Sequence, residues 1–194
     1  MIKKITRKLQ QFFLSKSYTT EELIQIHGGK IGKGVFIGND VIIDYDYAFL
    51  LEIGDGAVIS ARTIIEFHDS CLPNVLGRAK AKIGKVKIGN RAYIGVNSVL
   101  LAGVQIGDGA IVGACSLINR DIPGGEVWGG IPARFICSVD DLAKKSNVTS
   151  NPRIAYFDWI GELEKKEINY REFKANFIRQ VYRFFQVIEK DNSG

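Results

Sequence analysis

The chain has 194 residues, of which 46% are hydrophobic and 24% are charged, and its formal net charge is +5. This size and composition predict an ordinary globular domain with terminal extensions. The sequence contains no run of about 18 apolar residues, so it predicts no transmembrane helix.

The cysteines and the N-terminus indicate the cellular compartment of the protein. The three cysteines, Cys71, Cys115 and Cys137, have no metal-type spacing, and an odd number does not suggest a disulfide scaffold. The basic N-terminus has no long apolar core and no small-residue cleavage site, unlike a secretory signal. We therefore expect reduced thiols in a cytoplasmic protein.

Residues 1–30 are predicted to form an N-terminal helical segment. Apolar residues recur at helical spacing over residues 1–14, and Thr20 with Glu21 and Glu22 indicates the start of a second short helix. The segment has a surplus of four basic residues. Packing of these helices on the rest of the protein or on a neighbouring subunit is the favoured interpretation. Peripheral membrane contact is the alternative that the lysines suggest.

A six-residue repeat begins at residue 31 and continues to about residue 123. It fits neither an amphipathic helix nor a long alternating strand. Hexapeptide repeats of this kind predict a parallel β-helix, in which each aliphatic residue faces a central core and small residues follow where the chain bends. The aliphatic positions are 31, 37, 43, 53, 59, 65, 88, 94, 100, 106, 112 and 118.

The repeat is interrupted after TIIEFH, residues 63–68, and resumes near residue 88. Insertions in a solenoid commonly carry function, and this one, loop 69–87, begins beside His68, one of only two histidines. Histidine exchanges a proton near neutral pH, as general base catalysis requires. Residues 72–91 contain six basic residues and no acidic one. They predict an anionic ligand, either phosphates or a membrane surface. Aromatic residues are nearly absent there, which disfavours nucleic acid.

The chain leaves the repeat after residue 137. A polar linker near residues 146–152 is followed by a second apolar stripe at helical spacing. We therefore expect a linker and a C-terminal helical extension over residues 138–194.

The repeat and its ending resemble the hexapeptide-repeat acyltransferases, most of all the sugar O-acetyltransferases of the galactoside, maltose and capsular-polysaccharide type. The closing segment DIPGGEVWGGIPARFI, residues 121–136, matches the end of the family's repeat domain. The resemblance implies a mainly β chain whose residues 31–137 form a left-handed parallel β-helix. It also implies acetyl-CoA as donor, a homotrimer and His68 as the catalytic base.

Three acids are candidates for a partner of His68. Asp46 lies about one coil earlier and is the first choice. Asp69 matches the family's His-Asp pair, but a neighbour along an extended chain points to the opposite face, so it either binds the acceptor or caps the turn. Glu66 shares the side of His68. The other histidine, His27, has no counterpart in the family motif and reads as a surface or capping residue.

The resemblance also implies where coenzyme A would bind. Gly95 and Ala114 match small residues along the groove for the pantetheine arm, although tight packing of coils also explains them. Asn119 and Arg120 match the pair that closes the last coil, with asparagine in place of the usual threonine. Arg134 matches the basic residue that meets the nucleotide.

The sequence thus predicts an O-acetyltransferase that moves acetyl from acetyl-CoA to a sugar hydroxyl without a metal. N-acetyl transfer to an amino sugar or a xenobiotic remains open, as does a non-catalytic β-helix trimer. A serine acetyltransferase is disfavoured, because the long helical N-terminal domain of that group is missing here. A zinc-binding trimer is also disfavoured, because it needs several histidine ligands and this sequence has two histidines. Cys71 as a nucleophile is the least favoured alternative.

Overall fold

The computed structural model describes residues 18–77 and 80–148, with the backbone alone for 146–148. Our predicted first helix and most of the predicted C-terminal extension lie outside these residues. The elements are helix α1 (Thr20–Ile26), strands β1 (Lys30–Ile31), β2 (Phe36–Ile37) and β3 (Ile42–Ile43), a 3₁₀ helix (Tyr45–Leu50), β4 (Leu51–Ile53), β5 (Val58–Ile59), β6 (Ile64–Ile65), β7 (His68–Asp69), α2 (Cys71–Leu76), β8 (Lys82–Ile83), β9 (Val86–Ile88), β10 (Tyr93–Ile94), β11 (Val99–Leu100), β12 (Gln105–Ile106), β13 (Ile111–Val112), β14 (Leu117–Ile118), β15 (Glu126–Gly130), β16 (Ala133–Ser138) and α3 (Val139–Val148).

Three mainly parallel sheets form the body of the fold. The first face consists of β1, β4, β9 and β12, and the third face of β3, β6, β11 and β14. The second face consists of β2, β5, β10, β13 and β15, with β16 antiparallel at its edge. Successive strands of the chain visit the three faces in turn, so each strand pairs with its counterpart one coil later. The result is a three-sided solenoid, which confirms the predicted mainly β, parallel architecture.

The twelve aliphatic positions of the repeat form the core. They occupy three inward columns, one on each face, and ten of the twelve are buried, while Ile31 and Ile37 at the first coil are partly covered. The pairing therefore follows the hydrophobic pattern. The columns are Ile31, Ile53, Ile88 and Ile106 on the first face, Ile37, Ile59, Ile94 and Val112 on the second, and Ile43, Ile65, Leu100 and Ile118 on the third.

The residues that precede these positions point outward, and their chemistry differs between faces. The first face is polar, whereas the second and third are apolar. The outward rows are Lys30, Glu52, Lys87 and Gln105 on the first face, Phe36, Val58, Tyr93 and Ile111 on the second, and Ile42, Ile64, Val99 and Leu117 on the third.

Helix α1 precedes the first coil and begins where the sequence predicts. The side chain of Thr19 accepts a hydrogen bond from the Glu22 N–H, and the Glu22 carboxylate accepts one from the Thr19 N–H. This reciprocal cap fixes the start of the helix. Ile24 of this helix is fully buried. His27 is exposed at the C-terminal end of α1, as predicted for a capping residue.

The chain divides into two units, residues 1–142 and 143–194. The finer division into 1–30, 31–137 and 138–194 stays a prediction. None of the helices within the described residues is long and apolar enough to cross a bilayer.

Close packing between coils explains Gly95. A methyl group added there would lie 2.5 Å from the backbone nitrogen of Ala114 in the next coil, too close for any real contact. Gly113 follows the neighbouring strand of the same face, but a methyl group there would meet nothing nearer than the Trp128 carbonyl oxygen at 3.5 Å. The two glycines therefore form a matched pair for a stability test.

We expect Gly95→Ala to lower the free energy of unfolding by about 1–3 kcal/mol, the usual cost of overpacking. Thermal unfolding checks this, since about 2–4 °C is lost per kcal/mol in a chain of this size. Gly113→Ala should change the midpoint much less. Equal losses in both variants would contradict the packing explanation.

Candidate functional site

The two departures from the eighteen-residue coil lie at the same corner of the solenoid. The first, between β3 and β4, contains the 3₁₀ helix Tyr45–Leu50. The second, between β6 and β9, contains β7, α2 and β8. Because β3 pairs with β6 and β4 pairs with β9, the two insertions leave and rejoin the solenoid one coil apart. Side chains that are distant in sequence therefore meet at this corner.

His68 is the centre of this corner. Its ring stacks on Tyr47 of the 3₁₀ helix, with ring centroids 4.8 Å apart and planes inclined by 22°. Its Nδ1 atom lies 3.7 Å from Oδ2 of Asp44. Tyr47 and Asp44 come from the first insertion and His68 from the second, which explains why the ring is enclosed on two sides.

The two ring nitrogens of His68 differ in their surroundings. Nδ1 is buried and has no hydrogen-bond partner among the described residues. The side chain as a whole is nevertheless 33% exposed, so the accessible part of the ring lies away from Nδ1. Nε2 is therefore the nitrogen that can exchange a proton with a molecule in solution.

Asp44 is held in an orientation that suits a partner of Nδ1. One carboxylate oxygen, Oδ1, accepts a hydrogen bond of 3.2 Å from the Asp46 N–H and so caps the 3₁₀ helix. The other oxygen, Oδ2, faces the ring. A separation of 3.7 Å is too long for a hydrogen bond, yet it places a negative charge beside the ring when the ring is protonated.

The sequence singled out Asp46 as the partner, whereas the carboxylate against the ring is two residues earlier. Asp46 is exposed and contributes its backbone N–H to the orientation of Asp44. No ion pair between Asp46 and His68 occurs in the described part of the chain. Asp44 and Tyr47 are site residues that sequence reasoning missed. The available signal was the N-cap position of Asp44, directly before the inserted turn.

Asp69 is engaged by the chain that follows it. Its Oδ1 accepts a hydrogen bond of 2.8 Å from the Cys71 N–H, so the turn contact that the sequence offered as one alternative is present. This hydrogen bond lowers the pKa of Asp69, and the carboxylate is ionised at neutral pH. Within the described ranges, no hydrogen bond or ion pair joins the Glu66 side chain to His68. Phe67 between them is fully buried.

The residues predicted for coenzyme A lie at three separate places in the fold. Gly95 and Ala114 are brought together by the stacking of coils at the corner after β10 and β13. Asn119 and Arg120 are exposed directly after β14 on the third face. Arg134 is exposed in β16, where it pairs with Gly129, and its Nη1 donates to the Ala133 carbonyl at 2.8 Å.

Metal chemistry has no obvious ligand set in this part of the protein. Within residues 18–77 and 80–148, no three histidine, cysteine or acidic side chains are grouped so that they could hold an ion. The three cysteines are free.

Comparisons with known proteins find a matching family model and similar acetyltransferases. Residues 85–120 match the family model "Bacterial transferase hexapeptide (six repeats)". YvoF of Bacillus subtilis, which is named as an acetyltransferase, is 33% identical over 60% of this chain and 64% of its own length. Galactoside O-acetyltransferase of Escherichia coli is 30% identical over 59% of this chain and 56% of its own.

A solved structure is also similar. It is a hexapeptide-repeat acetyltransferase of Vibrio cholerae in complex with acetyl coenzyme A, with a TM-score of 0.51 and 29% identity over 57% of this chain and 60% of that chain. All three matches span less than two thirds of the relatives' own lengths. The resemblance indicated by the repeat is thereby confirmed: this chain is similar to the hexapeptide-repeat acetyltransferases, a galactoside O-acetyltransferase among them.

Proposed function

We propose that this chain is an acetyltransferase that moves the acetyl group of acetyl-CoA to a hydroxyl of a saccharide. The observation that carries the proposal is the His68 ring, which is stacked on Tyr47 with Asp44 at its buried nitrogen and its other nitrogen free to exchange a proton. A histidine held in this way is suited to general base catalysis. The similar proteins, which are named as acetyltransferases, support the same reaction class.

In the proposed reaction the acetyl group passes directly from the thioester to the acceptor, without a covalent acyl-enzyme. His68 Nε2 removes the proton of the acceptor hydroxyl, whose oxygen forms a bond with the thioester carbonyl carbon. Backbone N–H groups of an adjacent coil stabilise the oxyanion. As the carbon–sulfur bond breaks, His68 returns the proton to the departing thiolate. Asp44 stabilises the imidazolium that exists between these two proton transfers.

We assign the donor to the residues that the sequence predicted. The pantetheine arm would lie along the coil corner at Gly95 and Ala114, and Arg134 would meet the nucleotide phosphates as a charged hydrogen-bond donor. Asn119 and Arg120 would lie at the end of the same groove. The exposure of Ala114, Asn119, Arg120 and Arg134 supports this assignment.

We further propose that the solenoid is a left-handed β-helix and that it assembles as a homotrimer. The second and third faces support the assembly, since Phe36, Ile42 and Tyr93 are 60%, 58% and 45% exposed on their outward rows. Apolar surface of this extent favours association. Contact of the second face of one copy with the third face of the next is heterologous and can close into a ring.

The assembly is tested by its mass in solution, where we expect three times the chain mass of 21.5 kDa. Ile42→Asp, on the apolar third face, should lower the measured mass because it would bury a charge in the contact. Gln105→Asp, on the polar first face, is the matched control and should leave the mass unchanged. A wild-type mass of one chain would overturn the trimer.

Cys71 is tested separately, because it lies three residues after His68. The hydrogen bond between its thiol and the Asp69 carboxylate, together with burial and the charge of Asp69, raises the pKa of Cys71. The thiol therefore stays protonated at neutral pH and is a poor nucleophile. We expect Cys71→Ala to retain full turnover in a thiol-release assay. Loss of turnover in that variant, with folding intact, would instead favour a covalent acyl-enzyme.

The proposed function is tested by binding and turnover together. Calorimetry measures the affinity of the chain for coenzyme A, and release of free thiol from acetyl-CoA is followed with a panel of sugars, nucleotide sugars and lipid-linked saccharides. We expect binding of coenzyme A and turnover that depends on an acceptor. A folded protein that does not bind coenzyme A would refute the donor assignment.

A further inference from the structure

The second insertion carries an apolar surface that nothing in the described chain covers. Leu72, Val75 and Leu76 of helix α2 are 55%, 76% and 59% exposed. Their spacing of three and four residues puts them on one side of the single helical turn. A group of exposed aliphatic side chains on a protruding segment marks an interaction site more often than isolated exposed residues do.

The segment after α2 is positively charged. Lys80, Lys82 and Lys85 are exposed, and none of them forms an ion pair with another described residue. By contrast, Lys30 on the first face is paired with Glu52 at 3.0 Å. Two acids lie near these lysines: Asp69, which accepts a hydrogen bond from the Cys71 N–H and whose pKa Lys82 lowers further, and Glu52, which is paired with Lys30 and whose pKa Lys85 also lowers.

The insertion is tied directly to the strand of His68. Strand β8 pairs antiparallel with β7, so that Ile83 is opposite His68 and Lys82 is opposite Asp69. The Gly84 N–H also donates to the Phe67 carbonyl at 2.9 Å. The apolar and basic groups therefore project from the corner that contains the candidate base.

We infer that this insertion is a docking surface for an anionic lipid bilayer. Leu72, Val75 and Leu76 would enter the boundary between headgroups and acyl chains, while Lys80, Lys82 and Lys85 would lie at the lipid phosphates. Interfacial binding draws on these two contributions, buried apolar area and attraction of lysines to anionic lipid. Lys80, Lys82 and Lys85 do not belong to the outward rows proposed for the trimer.

The inference does not depend on the proposed acetyl transfer, because lipid binding is measured without a reaction. If both hold, His68 acts beside a membrane surface, which suits an acceptor saccharide carried on a lipid. Failure of one therefore leaves the other intact.

The test is cosedimentation of the full chain with vesicles of phosphatidylcholine alone or mixed with phosphatidylglycerol. We expect binding to the mixed vesicles, little binding to the neutral ones, and weakening by salt. Lys80→Gln/Lys82→Gln should weaken binding by about ten- to thirtyfold, given the contribution of each lysine near a charged surface. Leu72→Ser/Val75→Ser/Leu76→Ser should weaken it by about tenfold or more.

The matched control is Lys30→Gln/Lys33→Gln, which removes the same charge outside the insertion and should bind as the wild type does. The five basic residues of positions 1–16 are kept in every variant, so they contribute equally to the binding of each. Equal binding by all variants, or no binding of the wild type to mixed vesicles, overturns the inference. It is also overturned if the lysine pair alters only the affinity for coenzyme A, or if the serine variant changes only the oligomeric mass.

Discussion

Replacing His68 by alanine should lower acetyl-CoA turnover by about 10²–10⁴, the usual contribution of a general base. The variant lacks the imidazole that, in the proposed reaction, takes a proton from the hydroxyl and returns it to the thiolate. The effect should fall on kcat, because the proton moves in the chemical step rather than in binding. Free thiol release at saturating acceptor measures it.

The control for this change is His27→Ala, which removes the other histidine of the chain. His27 is exposed and its ring faces Tyr45, with centroids 5.7 Å apart, so it is outside the proposed machinery. Turnover should be unchanged in this variant. Equal losses of turnover in both variants, or normal turnover in His68→Ala, would contradict the assignment of His68 as the general base. Thermal unfolding of each variant excludes a loss caused by misfolding.

Asp44→Asn should lower turnover by about 10- to 100-fold with little change in KM. An orienting carboxylate beside a catalytic histidine can contribute up to about 10⁴. A separation of 3.7 Å between partly exposed groups argues for less. The asparagine oxygen can still accept the Asp46 N–H and so keep the cap of the 3₁₀ helix. The charge beside the imidazolium is then the main thing lost.

The matched variant is Asp46→Asn, which makes the same chemical change two residues later. The sequence favoured Asp46 as the partner of His68, whereas Asp44 is the acid beside the ring. We therefore expect Asp46→Asn to retain most of the turnover. A loss of turnover in Asp46→Asn but not in Asp44→Asn would identify Asp46 as the partner of His68. If Asp44→Asn alone lowers the unfolding temperature, its effect on turnover would be explained by the lost helix cap.

The solenoid could be predicted from the sequence because every sixth residue of the repeat faces the core. Each inward position must be aliphatic to fill a narrow core, and the pairings of the three columns follow the predicted positions, from Ile31 opposite Ile53 onward. The insertion after His68 was visible for the same reason, since it breaks a strict period. These features depend on local composition, which a single sequence displays.

The acid beside His68 could not be predicted from the sequence, because its identity depends on how two irregular segments pack together. Asp44 and His68 are 24 residues apart, a distance that includes one coil plus an insertion of unknown shape. The choice between Asp44 and Asp46 depends on which of them caps the 3₁₀ helix. The stacking of Tyr47 on His68 depends on the same turn. Nothing in a hexapeptide pattern determines such a turn.

The proposed transfer is tested most directly by following a labelled acetyl group from acetyl-CoA into a saccharide acceptor and identifying the new bond by mass spectrometry and by its lability in alkali. We expect an ester at a sugar hydroxyl, formed by the wild type and almost absent with His68→Ala. Label found only in an amide would contradict transfer to a hydroxyl. Label that remains on the protein would contradict direct transfer.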